Sequence, residues 1–235
     1  MADVFKNKKK NRLIIHFDTG MCRLGIQEKD IKEVIIMSHL ACAGEKKDPF
    51  NEIQRKKFEK IKMLLPGYKY SLAASGGIFL GKKYHYDLVR PGINLYGGSK
   101  GYHKDLKHVV SLKSPIIQIN ELKKGQTAGY SRTFKAKKNM TTATIPMGYA
   151  DGIGIRLSNK GFVHFKSQKL PMLGRISMDL IIIDITKVKN KIKIGDFVYL
   201  YNDLFTIDDF AKLTGTIPYR IITCISKRYI KNYKN

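Results

Sequence analysis

Short apolar runs that each stop at a polar or glycine-rich turn constrain this chain more than any other feature. RLIIHFD (12–18), KEVIIMSHL (32–40), YSLAASG (70–76) and DLVRPGINLYG (87–97) each read as a brief strand running into small or polar residues. Between the second and third lies DPFNEIQRKKFEKIKMLLPG (48–67), which has a different period. Phe50, Ile53, Phe58, Ile61, Met63, Leu64 and Leu65 recur there mainly at three-to-four spacing, with Lys, Arg and Glu between them. Asp48 or Asn51 offers a start cap and Pro66-Gly67 a stop, so the spacing predicts a helix. Strands that end in functional turns, with a helix among them, predict a parallel α/β arrangement.

From about residue 108 the texture changes. VVSLKSPIIQINEL, TTATIPMGYA, GFVHFKS, KLPMLGRISMDLIIIDIT and DFVYLY are β-rich runs separated by Gly, Asn and Lys turns, and TIDDFAKLTG (206–215) reads as one late helix. The boundary falls in the stretch 97–107, GGSKGYHKDLK. This gives an α/β unit over 1–106 and a mostly β domain over 107–235, with no internal repeat.

The chain has 235 residues, 43% of them hydrophobic, which excludes a disordered polymer. No apolar run approaches the roughly 18 residues of a membrane helix, and no apolar stretch follows the basic start MADVFKNKKKNR, so no signal peptide is expected. Three cysteines (Cys22, Cys42, Cys224), odd in number and forming no CxxC pair, point to reduced thiols and a cytoplasmic protein. Lys and Arg number 44 against 19 acids, a formal charge of +25. The lysines are spread from Lys6 to Lys234 without interleaved aromatics, so a solvated surface is expected rather than a nucleic-acid interface. DNA binding should be weak and vanish near physiological ionic strength, which a salt titration checks; sub-micromolar, sequence-selective binding at about 0.15 M salt would overturn this.

Four segments carry chemistry: DTGMCRLG (18–25), LVRPGINLYG (88–97), AGYSRTF (128–134), and IPMGYADGIGIRLSNKG (145–161) followed by GRISMDLIIID (174–184). Each alone is weak, since such turns form for purely local reasons. On residue chemistry alone Tyr130 also fits a half-buried strand tyrosine, and Arg90 a surface ion-pair residue. As an ordered set the segments resemble the alanine racemases, from Ile14 to about Ser226. That resemblance implies the C-terminal part of a (β/α)8 barrel binding pyridoxal phosphate (PLP), then a mostly β domain. It implies interconversion of L- and D-alanine, supplying D-alanine for peptidoglycan, in a head-to-tail homodimer.

The resemblance also implies roles. Tyr130 falls on the catalytic tyrosine, one of two bases that work on opposite faces of the amino acid; inverting a carbon requires both. A free phenol near pKa 10 is a poor base at neutral pH and needs a supporting neighbour. His39 and Arg90 fall on positions that form such a network, with Arg90 against the pyridine nitrogen. Ser75, Gly92, Ile93 and Tyr219 match phosphate-holding positions. Arg23 and the backbone of Met178 match contacts to the substrate carboxylate, for which a guanidinium gives bidentate pairing. Tyr149 sits where the family has a tyrosine at the mouth of the site. Tyr130, Tyr149 and Met178 act across the dimer. No metal ligands are expected.

The sequence departs from the family in three respects. The family's PLP lysine lies in a motif of the type AVVKANAYGHG, and these 235 residues contain no such segment. The reading is therefore a C-terminal portion that works with a separately encoded N-terminal half; a decayed fragment and a β-domain binding module are the alternatives. Only IQEKDIKE separates Gly25 from Val34, short for a parallel crossover, so a barrel helix is expected to be missing. His16 and Ala74 stand where the family commonly has Lys and Asn.

Overall fold

A computed structural model describes residues 13–16, 19–21, 34–99 and 106–233. It divides into two compact units, one formed by 1–95 and 99–105, the other by 96–98 and 106–235.

In the first unit β1 (Leu13–His16), β2 (Val34–Met37) and β3 (Lys69–Ser71) form a parallel sheet in sequential order. Ile35 lies beside Ile14 on one side and Lys69 on the other. Helix α1 (Phe50–Leu64) follows β2. Its N-cap residue is Pro49 rather than Asp48 or Asn51, and Asp48 just before it accepts the Phe50 N–H on Oδ1 at 2.8 Å. Its inward face differs from the expected one: Asn51, Gln54 and Phe58 are buried, whereas Ile53, Met63 and Leu64 are exposed. The buried amide has partners, because Gln54 accepts from Ala41 N (2.8 Å) and donates to His39 O (3.1 Å) and Thr19 Oγ1 (3.3 Å). A satisfied amide can occupy a core position that an apolar side chain would otherwise fill. Phe58 anchors the core with Ile36, Tyr70 and Leu72.

The expected strand over 87–97 does not form. Residues 73–75 and 90–92 run side by side, but they make only one parallel bridge, Ala74 to Arg90, and 93–96 turn into a 3-10 helix. Pro91 has no N–H to offer a ladder, and the Gly92 N–H goes to a side chain. The first unit thus holds three strands rather than four among its described residues. The segment 25–33, where a barrel helix is expected to be missing, lies outside those residues.

The second unit is built on an antiparallel sheet. Its strands are β4 (Leu112–Pro115), β5 (Gln118–Leu122), β8 (Met140–Ile145), β9 (Phe162–Phe165), β10 (Gln168–Leu173), β11 (Ile181–Asp184) and β12 (Phe197–Tyr201), in the order β4-β12-β9-β10-β11-β8-β5. Two further strands, β6 (Thr127–Ala128) and β7 (Phe134–Lys135), make a separate hairpin. Ile145, Val163, Leu170, Ile181, Ile183, Val198 and Leu200 fill the core, with Phe210 from helix α3 (Ile207–Thr214). Thr206 and Asp209 cap α3 reciprocally, and Gly215 ends it with φ +66°. Among the described residues no helix is long and apolar enough to cross a membrane, and Cys42 and Cys224 are unpaired. The fold is thus a portion of a parallel barrel plus a mostly antiparallel β domain.

Candidate functional site

The first unit gathers His39, Ser75, Arg90, Gly92 and Ile93 where the 71–75 and 88–92 segments run alongside one another and meet the end of β2. Arg90 Nη2 donates to the carbonyls of Ser38 (2.8 Å) and Leu72 (3.3 Å) and lies 3.4 Å from His39 Nδ1, while Nη1 donates to Ser71 Oγ. Arginine has donors only, so the His39 Nδ1 that faces it carries a lone pair. Each of these acceptors is neutral, and burial lowers the Arg90 pKa from the usual guanidinium range. A half-buried arginine held by neutral groups keeps its positive field for another partner, unlike the surface ion-pair residue that chemistry alone allowed.

Three residues after Leu72, Ser75 opens the short helix α2 (Ser75–Ile78) and is 1% exposed. Its Oγ accepts the Gly92 N–H at 2.8 Å, which leaves the Ser75 hydroxyl proton as a donor. Gly76 is required by packing, since a Cβ there would press on the Ala43 carbonyl. Ile93, the next residue after Gly92, is buried. Ser38, Ser71 and Gln54, which hold Arg90 and the His39 backbone in place, carry no motif of their own. Two of them act through or upon backbone carbonyls.

In the second unit Tyr130 stands at the loop of the β6–β7 hairpin and is 67% exposed, not half-buried in a strand. Gly129 before it has φ +75°, and a Cβ there would lie 2.8 Å from Arg175 N. The backbone therefore reverses tightly against the 174–178 segment and projects the phenol outward. Further along that segment, the Ser177 and Met178 carbonyls accept the N–H groups of Tyr149 and Ala150, both at 3.1 Å. Gly148 allows this approach, because any Cβ would collide with both carbonyls. Tyr130, Tyr149 and Met178 thus share one structural spine, and all three are exposed. Tyr219 stands on a different element, α4 (Pro218–Thr223), a helix that the sequence pattern did not predict; it is 41% exposed. Arg23 lies outside the described residues.

Comparison with known proteins gives these groups a context. The family model described as "Alanine racemase, N-terminal domain" matches residues 2–100, and "Alanine racemase, C-terminal domain" matches 109–233. The alanine racemase of Rickettsia bellii is 40% identical over 95% of this chain and 60% of its own length. That of Rickettsia africae is 39% identical over 95% of this chain and 67% of its own. The crystal structure of alanine racemase from Bartonella henselae with covalently bound pyridoxal phosphate superposes with TM-score 0.85 at 39% identity, covering 92% of this chain and 64% of that one. The biosynthetic alanine racemase from Pseudomonas aeruginosa gives TM-score 0.83 at 28% identity, over 94% and 66%. The chain spans about three-fifths to two-thirds of the curated relatives it matches. With both family models matched in order, over residues 2–100 and 109–233, this chain belongs to the alanine racemase family.

Proposed function

We propose that this chain contributes the ring-holding, phosphate-holding and tyrosine-bearing parts of a cytoplasmic alanine racemase that supplies D-alanine for cell-wall peptidoglycan. Its donor set fits PLP at two ends. Arg90, held by neutral groups among the described residues, offers an N–H to a ring nitrogen and, as a guanidinium, yields no proton to it. The Ser75 hydroxyl, with Gly92 and Ile93, suits a phosphate; the family resemblance gives a phosphate role to Tyr219 as well, and carboxylate roles to Arg23 and the Met178 backbone. Bound PLP supplies the electron sink that makes the α-carbon acidic. Tyr130 Oη serves one face of that carbon, taking or returning its proton, while Tyr149 borders the approach. A lysine from outside these 235 residues serves the other face. Tyr130, Tyr149 and Met178 reach the site across a head-to-tail dimer.

The observation that carries this reading is the arginine pinned by Ser38, Ser71 and Leu72 beside the Ser75–Gly92 pair, in a chain whose relatives include the alanine racemases of Rickettsia. Co-expression with a lysine-bearing N-terminal barrel half should yield alanine racemisation, and inactivity in every such pairing would count against it.

A second test concerns the lysine. Incubated with PLP and borohydride, the 235-residue chain alone should show no single lysine modified in stoichiometric yield. Peptide mass mapping that finds one would move the second base into this chain. In the paired protein the label should map to the added half.

A further inference from the structure

The motif reading stops at the turns bearing Tyr149 and Met178, yet a third segment grips both. Arg228 Nη1 donates to Asp179 Oδ1 at 2.6 Å, and its Nε lies 3.4 Å from Asp151 Oδ1. Asp179 is the neighbour of Met178, and Asp151 closes the 3-10 turn that begins at Tyr149. The two carboxylates differ in setting. Asp179 is half exposed, whereas the Asp151 side chain is 4% exposed and its Oδ2 accepts the Gly148 N–H at 2.9 Å. The chain around Arg228 reinforces the grip. Tyr229 OH donates to the Asp151 carbonyl at 3.3 Å, and Gly152 packs so close to the Cys224 carbonyl that no Cβ fits. Ser226 Oγ accepts the Arg228 N–H at 3.1 Å, holding the arginine's own backbone.

We propose that Arg228 is a positioning residue that latches the Tyr149 turn to the Met178 turn, and so sets the substrate end of the site. This rests on the reading that Tyr149 and Met178 face the amino acid. A guanidinium suits the task because its planar fork meets two carboxylates at once, whereas an ammonium is a single point charge. Arg228 touches no predicted substrate position itself. It acts on the two backbone bonds, Tyr149 N–H to Ser177 O and Ala150 N–H to Met178 O, that join the turns.

The test compares Arg228→Gln and Arg228→Lys in the full chain by amide hydrogen exchange. An exposed ion pair of this kind contributes up to about a fivefold change in a local opening equilibrium. In the Gln variant the Tyr149 and Ala150 amides should therefore exchange several-fold faster, while Ile183 and Val198 in the sheet stay protected. The Lys variant should recover part of the protection. Unchanged exchange at Tyr149 and Ala150 would overturn the proposal. So would uniform acceleration across the sheet, or a Lys variant as open as the Gln one. In the protein paired with a lysine-bearing half, Arg228→Gln should raise KM for alanine several-fold and leave kcat close to its starting value. A fall in kcat alone would overturn the positioning role. If the unsubstituted pair has no racemase activity, the functional reading fails while the exchange data still decide the latch.

Discussion

Tyr130→Phe, in the chain paired with a lysine-bearing half, should lower racemisation by about 10² to 10⁴, the usual loss when a positioned acid–base group is removed. The phenol is 67% exposed and its ring rests on no core cluster, so the fold should persist and only proton transfer should fail. Because tyrosine serves one face, α-deuterium exchange should fall unequally between the enantiomers. The family resemblance implies that the L-enantiomer is the one that gives its proton to tyrosine. Circular dichroism of the variant should match that of the parent. A paired enzyme whose Tyr130→Phe variant racemises at near-full rate would remove tyrosine from the mechanism.

Phe58→Ala should destabilise the parallel-sheet unit by about 3–5 kcal/mol, the cost of truncating a fully buried phenylalanine. Phe58 is 0% exposed and meets Tyr70 and Tyr86 edge-on at 6.2 and 5.1 Å. It also packs with Leu72 and Ala73, whose backbone carbonyls receive Arg90 Nη2 and Arg90 N. Urea unfolding followed by exchange at Ile36 and Leu72 should show an earlier transition, with Ile145 and Val198 in the other unit unmoved. A loss under about 1 kcal/mol would mean that the site collapses around the deletion.

Regular periodicity was legible in the residues, and non-local pairing was not. α3 was readable because Thr206, Asp209 and Gly215 mark its ends locally. The β runs after residue 108 were readable because strand alternation and turn residues are local too. α1 was found from its spacing, but its buried face was not: Gln54 is inside because His39 and Thr19 satisfy it, and both lie far away in sequence. The run 87–97 read as a strand on its apolar content, whereas Pro91 and the side-chain bond at Gly92 stop the ladder. Arg90 stands in a motif, LVRPGINLYG, that is legible in the sequence. Its setting depends on the carbonyls of Ser38 and Leu72, and a backbone acceptor leaves no trace in residue identity. Arg228 resembled any surface basic residue, because Asp151 and Asp179 come near it only through the folded chain.

The two units differ in when they can be completed. Strands β1, β2 and β3 pair with their neighbours in sequence, so that sheet can assemble as it leaves the ribosome, with short loop closures at each step. The β domain cannot follow the same schedule. β4 opens it, yet its partner is β12, and β12 is also the link from β4 to β9. Until Tyr201 has been synthesised, β4 has no sheet partner on either side, which is the state most exposed to pairing with another nascent chain. The last strand therefore acts as the closing stitch of the domain. Removing residues from the C-terminal side through β12 should cost β4 its sheet partner and bare one side of β9, while β9, β10, β11, β8 and β5 keep their ladders.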